Sequence, residues 1–299
     1  MLDYVYLALY KLFGAFLWLL PRVMQIVLIK ALARFAYFIS AKHRGIIDKN
    51  LDLAFGSALD KKEKKVIGIG AFSNLIDTVF GIIARDGLDK VEVIENVSFE
   101  GSHIVEKAQK EGRKIIFITG HQGNWELLSQ SIAIHFDLTL VGVGRKLDSE
   151  RMDRVLKENR ERFNVEMVYK KGAIKSCIKA LNQNKAIGIL IDQALSKNQS
   201  IDVSFFGKEA THTPIASILS RKFDIDLIPA FISTQDYKNY HVKIYEPIKS
   251  IHTDNQEEDL AKLTQAQANI MESVIKENPK EWFWMHKRWK GFENEFCKI

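Results

Sequence analysis

The sequence holds only two cysteines, Cys177 and Cys297, far apart and without C-x-x-C spacing. That excludes a disulfide framework and a thiolate zinc site, and it fits a reducing compartment. No G-x-S-x-G elbow, phosphate-cradling P-loop or H-E-x-x-H pair occurs, so the usual signatures of serine acyl-enzymes, P-loop nucleotide chemistry and zincins are lacking. The other histidines show no metal-ligand spacing, and neither a metal nor another cofactor is expected. Internal repeats and low-complexity tracts are absent too. The longest uncharged run near the N-terminus, residues 12–21, is ten residues, well short of the roughly 20 that a spanning helix needs.

What is present is a 299-residue chain with 46% hydrophobic and 10% aromatic residues, enough for a sizeable core in one large domain or one domain with an attachment. The formal charge of +6 suits an anionic partner: nucleic acid, acidic lipid or an acidic protein. Residues 4–39 are dominated by apolar and aromatic side chains, with Lys11, Arg22, Lys30 and Arg34 as their only charges. The apolar stretch continues past Pro21 without a small-residue cleavage site, which argues against a secretory signal. It reads as a helix lying in, or tilted into, one leaflet, with its basic side chains reaching phosphates and Trp18 and Tyr37 near the interface. A single tilted span, or a pair of core helices, would give a similar pattern.

Residues 1–42 are therefore expected to form a membrane-associated helical segment and 43–299 the working domain. Within it, 43–90 reads as a helical supporting layer with a Lys-rich turn at 61–65, and 91–299 as an α/β core. Strands are predicted at 114–119, 138–143, 165–168, 186–191 and 227–232. Helices are predicted near 125–136, 149–162, 174–184, 214–223 and 257–277. Such alternation implies an α/β fold, a mainly parallel central sheet flanked by helices.

The most informative stretch is residues 115–128, where the strand IIFIT runs through Gly120, His121, Gln122 and Gly123 into a helix start. This puts His121 at a strand's carboxyl end, where open α/β sheets bind ligands. In one continuous helix His121 and Glu126 would lie roughly 140° apart. A turn at Gly120 and Gly123, with Asn124 capping a helix from Trp125, lets Glu126 reach back to one imidazole nitrogen and leaves the other free as a base. The bland alternative is a loop histidine and a dipole-favoured helix acid. Asp192 ends a predicted strand and could order Arg160 or a substrate sugar. Thr213–Pro214 reads as an N-cap followed by proline at the first helical position. Phe205 and Phe206 suit plain core better than an acyl channel. Residues 282–292 mix Trp282, Trp284 and Trp289 with Lys287, Arg288 and Lys290, which suits a membrane-interface belt that also binds phosphate. Single-stranded nucleic acid would suit the same mixture, but beside the apolar N-terminus lipid is the expected partner, and no nucleic acid. His286 reads as a structural hydrogen-bonding residue.

The block 120–128 resembles the bacterial lipid A late acyltransferases, within the wider lysophospholipid acyltransferase group that shares His, four residues, then Asp or Glu. Further blocks follow in family order: Gly144–Arg145, where Gly stands in place of the family's aromatic; Asn159–Arg160; Ile191–Asp192–Gln193; Phe205–Phe206–Gly207 with Ala210–Thr211; and the WMHKRWK run at 284–290. The resemblance covers nearly the whole chain. It implies transfer of a fatty-acyl chain from acyl carrier protein to a hydroxyl of a Kdo-bearing lipid A precursor, at the cytoplasmic face of an inner membrane. His121 and Glu126 would be the catalytic pair, with direct attack on the thioester and no acyl-enzyme. Asn124, Arg145, Arg160, Asp192, Gln193, Lys287 and Arg288 would be substrate-binding residues, the arginines holding phosphate or carboxylate groups. Other readings are transfer to another glycolipid, such as a phosphatidylinositol mannoside, and a non-catalytic protein binding anionic membrane lipid.

Overall fold

The computed structural model describes residues 2–169 and 172–290; Cys297 and the end of the mixed aromatic–basic segment at Phe292 lie outside them. Four helices come first: α1 (Leu2–Leu19), α2 (Arg22–Ile39), α3 (Ala41–Phe55) and α4 (Lys61–Ala84). Pro21 separates α1 from α2, because proline lacks the N–H that would continue the first helix. The lysines at 61–65 do not form a turn. They are the first turns of α4, whose N-terminus is closed by Asp60 and Glu63 in a reciprocal capping box. α4 is long and apolar enough to cross a membrane, but 61% of its apolar window is buried inside the protein, which makes it a core helix.

A short helix, α5 (Lys90–Ile94), leads into β1 (Val97–Glu100) and α6 (Ser102–Lys110). Then β2 (Ile116–Thr119), α7 (Trp125–His135), β3 (Leu140–Gly144), α8 (Glu150–Arg160), β4 (Val165–Tyr169), α9 (Ala173–Asn182) and β5 (Ala186–Leu190) alternate as expected. A hairpin, β6 (Ile201–Phe205) and β7 (Lys208–His212), precedes α10 (Ile215–Phe223), β8 (Leu227–Ser233), β9 (Tyr240–Ile244) and α11 (Gln256–Glu277). The seven-stranded sheet has the order β1-β9-β8-β2-β5-β3-β4. Its pairs are parallel except β8 with β9. At Thr213–Pro214 the helix begins one residue later than expected, with Pro214 itself at the cap.

Two apolar layers sandwich the sheet. Ile116, Ile118, Ile187 and Ile189 face α4, α9, α10 and α11, while Phe117 faces Leu127, Leu128 and Ile132 of α7. Leu17, Ile29 and Phe80 fasten α1 and α2 onto α4. Several expectations for the N-terminus change here. Tyr37 is buried in the core, not at a membrane interface. Arg22 turns inward, where it binds the buried Asp77 (3.1 Å), Tyr240 Oη (3.0 Å) and the carbonyl of Tyr237. A solvated carboxylate would not need it, but Asp77 is fully buried and requires a cation. Trp18, at 85% exposure, does stand outside, as do Leu12, Phe16, Val23, Val27, Phe35 and Phe38.

The three tryptophans at 282–289 are buried and so form no interface belt. Trp282 packs edge to face on both Trp284 and Phe205, and Trp289 lies tilted against Phe205, over the β6–β7 hairpin. Phe205 and Phe206 are core, as their pairing suggested.

Candidate active site

Adjacent parallel strands deliver the reactive group and its neighbour. Thr119 of β2 is opposite Leu190 of β5, so two residues further on His121 and Asp192 leave the sheet side by side. Glycine is required at the second bend of this loop, and at the first it leaves room for the flexible end of Met271. A side chain at Gly120 would meet Met271 Sδ at 2.5 Å, and one at Gly123 (φ +58°) would meet the Ile232 carbonyl at 1.9 Å. Asn124 then caps α7, accepting from Leu127 N at 3.2 Å, and places Glu126 in the first turn.

A strap at residues 279–286 holds the loop from the other side. Gly123 N donates to the Glu281 carbonyl (3.1 Å) and Phe283 N to the His121 carbonyl (3.0 Å). Asn74 of α4 donates to both the Gly123 carbonyl (2.9 Å) and the Glu281 carbonyl (2.6 Å).

The imidazole of His121 donates through Nδ1 to Asp192 Oδ1 (2.8 Å), since an ionised carboxylate offers only acceptors. The His121 amide donates to Asp192 Oδ2 (2.9 Å), and so does Trp282 Nε1 (2.8 Å). Nε2 then carries the lone pair and accepts from the Gln193 side-chain amide nitrogen at 3.3 Å. Burial disfavours the imidazolium, but the Asp192 carboxylate and, less strongly, Glu126 outweigh it and raise the His121 pKa. Burial likewise opposes the Asp192 anion, yet the donors from His121 hold its pKa well below the usual carboxylate range.

The expected contact between Glu126 and the imidazole is not made. Glu126 lies on the side of α7 facing α8, and its carboxylate is gripped by the guanidinium fork of Arg160, with Nε to Oε2 at 2.8 Å and Nη2 to Oε1. Although burial opposes the charge, this fork lowers the Glu126 pKa. Arg160 remains partly exposed.

His121, Glu126, Arg160, Arg145 and Gln193 all line one cavity of about 1630 Å³ at the carboxyl edge of the sheet. Its depth is apolar, with Phe117, Leu128, Ile132, Leu140 and Met167 over Gly142 and Gly188. Among the described residues, Arg145, Arg160 and Lys175 are its cationic ones. The remaining candidates lie elsewhere. Asp192 and Asn124 are fully buried, Asp192 among its three donors and Asn124 between Leu127 N and Asp77 Oδ2 (2.9 Å), so neither faces the cavity. Arg288 is buried over the Phe205 ring, donating to the Thr211 carbonyl beside His212. Burial and Arg288 together push His212 down to about 3. Lys287 borders a separate hollow of about 210 Å³ with Lys42 and Lys49. His286 contacts the carbonyls of Phe283 (2.7 Å) and Asp192 (3.2 Å), in keeping with a structural part.

Two features of the site have no counterpart among the sequence expectations: the strap's hold on the loop, and the glycine floor of the cavity. The second was open to notice, since Gly142 and Gly188 interrupt apolar strands where a close approach or a void is the usual reason.

A histidine at a sheet's carboxyl edge, lining a large and mostly apolar cavity with cationic groups, is the arrangement of an α/β enzyme with room for a lipid. The family described as bacterial lipid A biosynthesis acyltransferase matches residues 1–291, and the chain belongs to that family: it is an acyltransferase of lipid A biosynthesis. It is also similar to a lipid A biosynthesis acyltransferase of Haemophilus influenzae, at 21% identity over 246 residues, which cover 82% of this chain and 74% of that protein.

Proposed function

We propose that the enzyme moves a fatty-acyl chain from the thioester of acyl carrier protein to a hydroxyl of a Kdo-bearing lipid A precursor, with His121 as general base. The observation that carries this reading is His121, held by Asp192 with Nε2 as its acceptor nitrogen, lining a cavity that is apolar at depth and cationic at Arg145, Arg160 and Lys175. The acyl chain lies on the α7 side of the sheet, over Gly142 and Gly188. The acceptor hydroxyl gives its proton to Nε2 and attacks the thioester carbonyl, so no protein nucleophile is required. Glu126 contributes by fixing Arg160, whose remaining N–H groups face the acceptor's anionic groups or the developing oxyanion.

The N-terminal helices seat the enzyme on the cytoplasmic face of the inner membrane. Their exposed side chains are mostly apolar, with Lys11, Lys30 and Arg34 among them, and α1 runs beside α8 at the cavity, tied by Arg151 to the Tyr4 hydroxyl (2.6 Å) and by Ser149 to Asp3 (2.9 Å). A lipid acceptor would then reach the site from the bilayer. The net positive charge favours encounter with an acidic carrier protein.

The test is mass spectrometry of products from purified enzyme, acyl carrier proteins of graded chain length and a Kdo-bearing tetra-acylated precursor. Gain of one acyl chain, lost in His121→Ala, supports the reading. No gain with any donor, followed by gain on another glycolipid, would reassign the acceptor.

A further inference from the structure

Two carboxylates stand near the base, and the His-x-x-x-x-Glu spacing draws attention to one of them. We propose that the other, Asp192, sets the tautomer and aim of His121 and is itself set by Trp282, while Glu126 acts on Arg160. This rests on the transfer reading above and assigns positioning residues within it.

The geometry is specific. Asp192 grips His121 twice, by the ring through Oδ1 and by the backbone amide through Oδ2. Rotating the imidazole breaks the first bond without loosening the second. Trp282 Nε1 gives Oδ2 a further donor, and the Asp192 side chain is fully buried. Glu126 has both oxygens committed to Arg160. The charged and titratable groups around His121 are thus Asp192 from the turn after β5, Glu126 from α7, Arg160 from α8 and His286 from the strap. Burial pushes His286 down to about 4 and keeps it neutral. Asp192 is the anion in direct contact with the ring.

In the reaction, the acceptor oxygen forms its bond to the acyl carbon as its proton passes to Nε2. The carbon–sulfur bond then breaks, and the imidazolium returns that proton to the departing thiolate. Asp192 stays ionised throughout and stabilises the imidazolium.

Asp192→Asn tests this sharply. Its amide oxygen would keep the two donors at Oδ2, which leaves its NH2 facing Nδ1. Nδ1 must then present a lone pair, and the ring proton moves to Nε2, where it blocks the base. Turnover is expected to fall roughly 10²- to 10⁴-fold with KM little changed. The acidic limb of the pH–rate profile moves to lower pH, because the anion that raised the His121 pKa has gone. Trp282→Phe should lower kcat about tenfold at constant KM. Glu126→Gln should raise KM for the acceptor and move the acidic limb less.

Nitrogen-15 histidine spectra of full-length protein read the tautomer without any turnover: Nδ1–H in the wild type and in Glu126→Gln, Nε2–H in Asp192→Asn. An unchanged tautomer and near-normal kcat in Asp192→Asn, or a tautomer that flips in Glu126→Gln, would overturn the proposal. Should Asp192→Asn fail to fold, the wild-type tautomer and the Trp282→Phe kinetics decide. Should wild-type protein transfer no acyl chain at all, the transfer reading fails, and the tautomer comparison still decides the part played by Asp192.

Discussion

Gly188 offers a way to measure where the acyl chain lies. It sits on β5 between Phe117 of β2 and Gly142 of β3 in register, on the face that borders the cavity. A side-chain carbon added there would have Leu140 as its nearest neighbour, at 3.5 Å, an ordinary contact. At Gly144 the same carbon would meet Met167 at 2.8 Å, and at Gly142 at 3.2 Å. Gly188→Val should therefore fold normally, since valine suits a strand better than glycine does, while its branches occupy the cavity floor. If they displace about two methylenes of bound chain, the loss for the longest accepted donor is about 1.6 kcal/mol at about 0.8 kcal/mol per methylene, roughly 15-fold in kcat/KM. Donors shorter by that amount should react as before. The assay is competition among acyl carrier proteins loaded with saturated chains of graded length, read by product mass. A stable variant with an unchanged length ranking would refute the placement and move the chain to the opposite face, beside Ile178, Ile189 and Ile218.

Two further outcomes concern stability. Arg22→Met strips the buried Asp77 of its cation and should cost on the order of 3 kcal/mol in urea unfolding at pH 8. The cost should shrink on acidification, because Asp77 already has a raised pKa, from burial that outweighs Arg22, and protonation removes its need for a cation. Glu281 is also buried, and its pKa is pushed up to about 7 by burial. Its neutral form is favoured in the folded state, so its contribution to stability is intact below the ordinary glutamate range and lost as pH rises toward 7. Glu281→Gln should flatten that part of the stability–pH curve, by about 3 kcal/mol at most; a curve that declines as steeply as the wild type's would show that Glu281 is ionised in the folded protein.

The alternating core was readable because each of its elements carries its own period: β2, β3, β4, β5 and β8, and the helices from α7 to α11, fall within a few residues of expectation. The cap at Asn124 was legible for the same local reason. What local pattern does not carry is which strands are neighbours. Asp192 was marked as ending a strand, but its place beside His121 follows from β5 lying next to β2, a fact of sheet order. The His-Glu spacing suggested a direct contact because both residues sit in one short stretch, whereas the fork of Arg160 arrives from α8. The tryptophans of the strap had the composition of a membrane belt. Burial reversed that reading, because aromatics serve equally well as core when a hairpin and a helix are there to cover them. The strand β9 was not expected, although Tyr240–Ile244 alternates buried and half-buried residues as a strand between β1 and β8 does.

The strap also bears on the order in which the enzyme becomes competent. Residues 279–286 leave the ribosome after every strand of the sheet, and they bring the Trp282 donor to Asp192 and the backbone partners of His121 and Gly123. A growing chain thus has its apolar helices and its sheet before its histidine is aimed. On the proposed reading, an activated thioester meets a poised base only after the strap has closed on the loop.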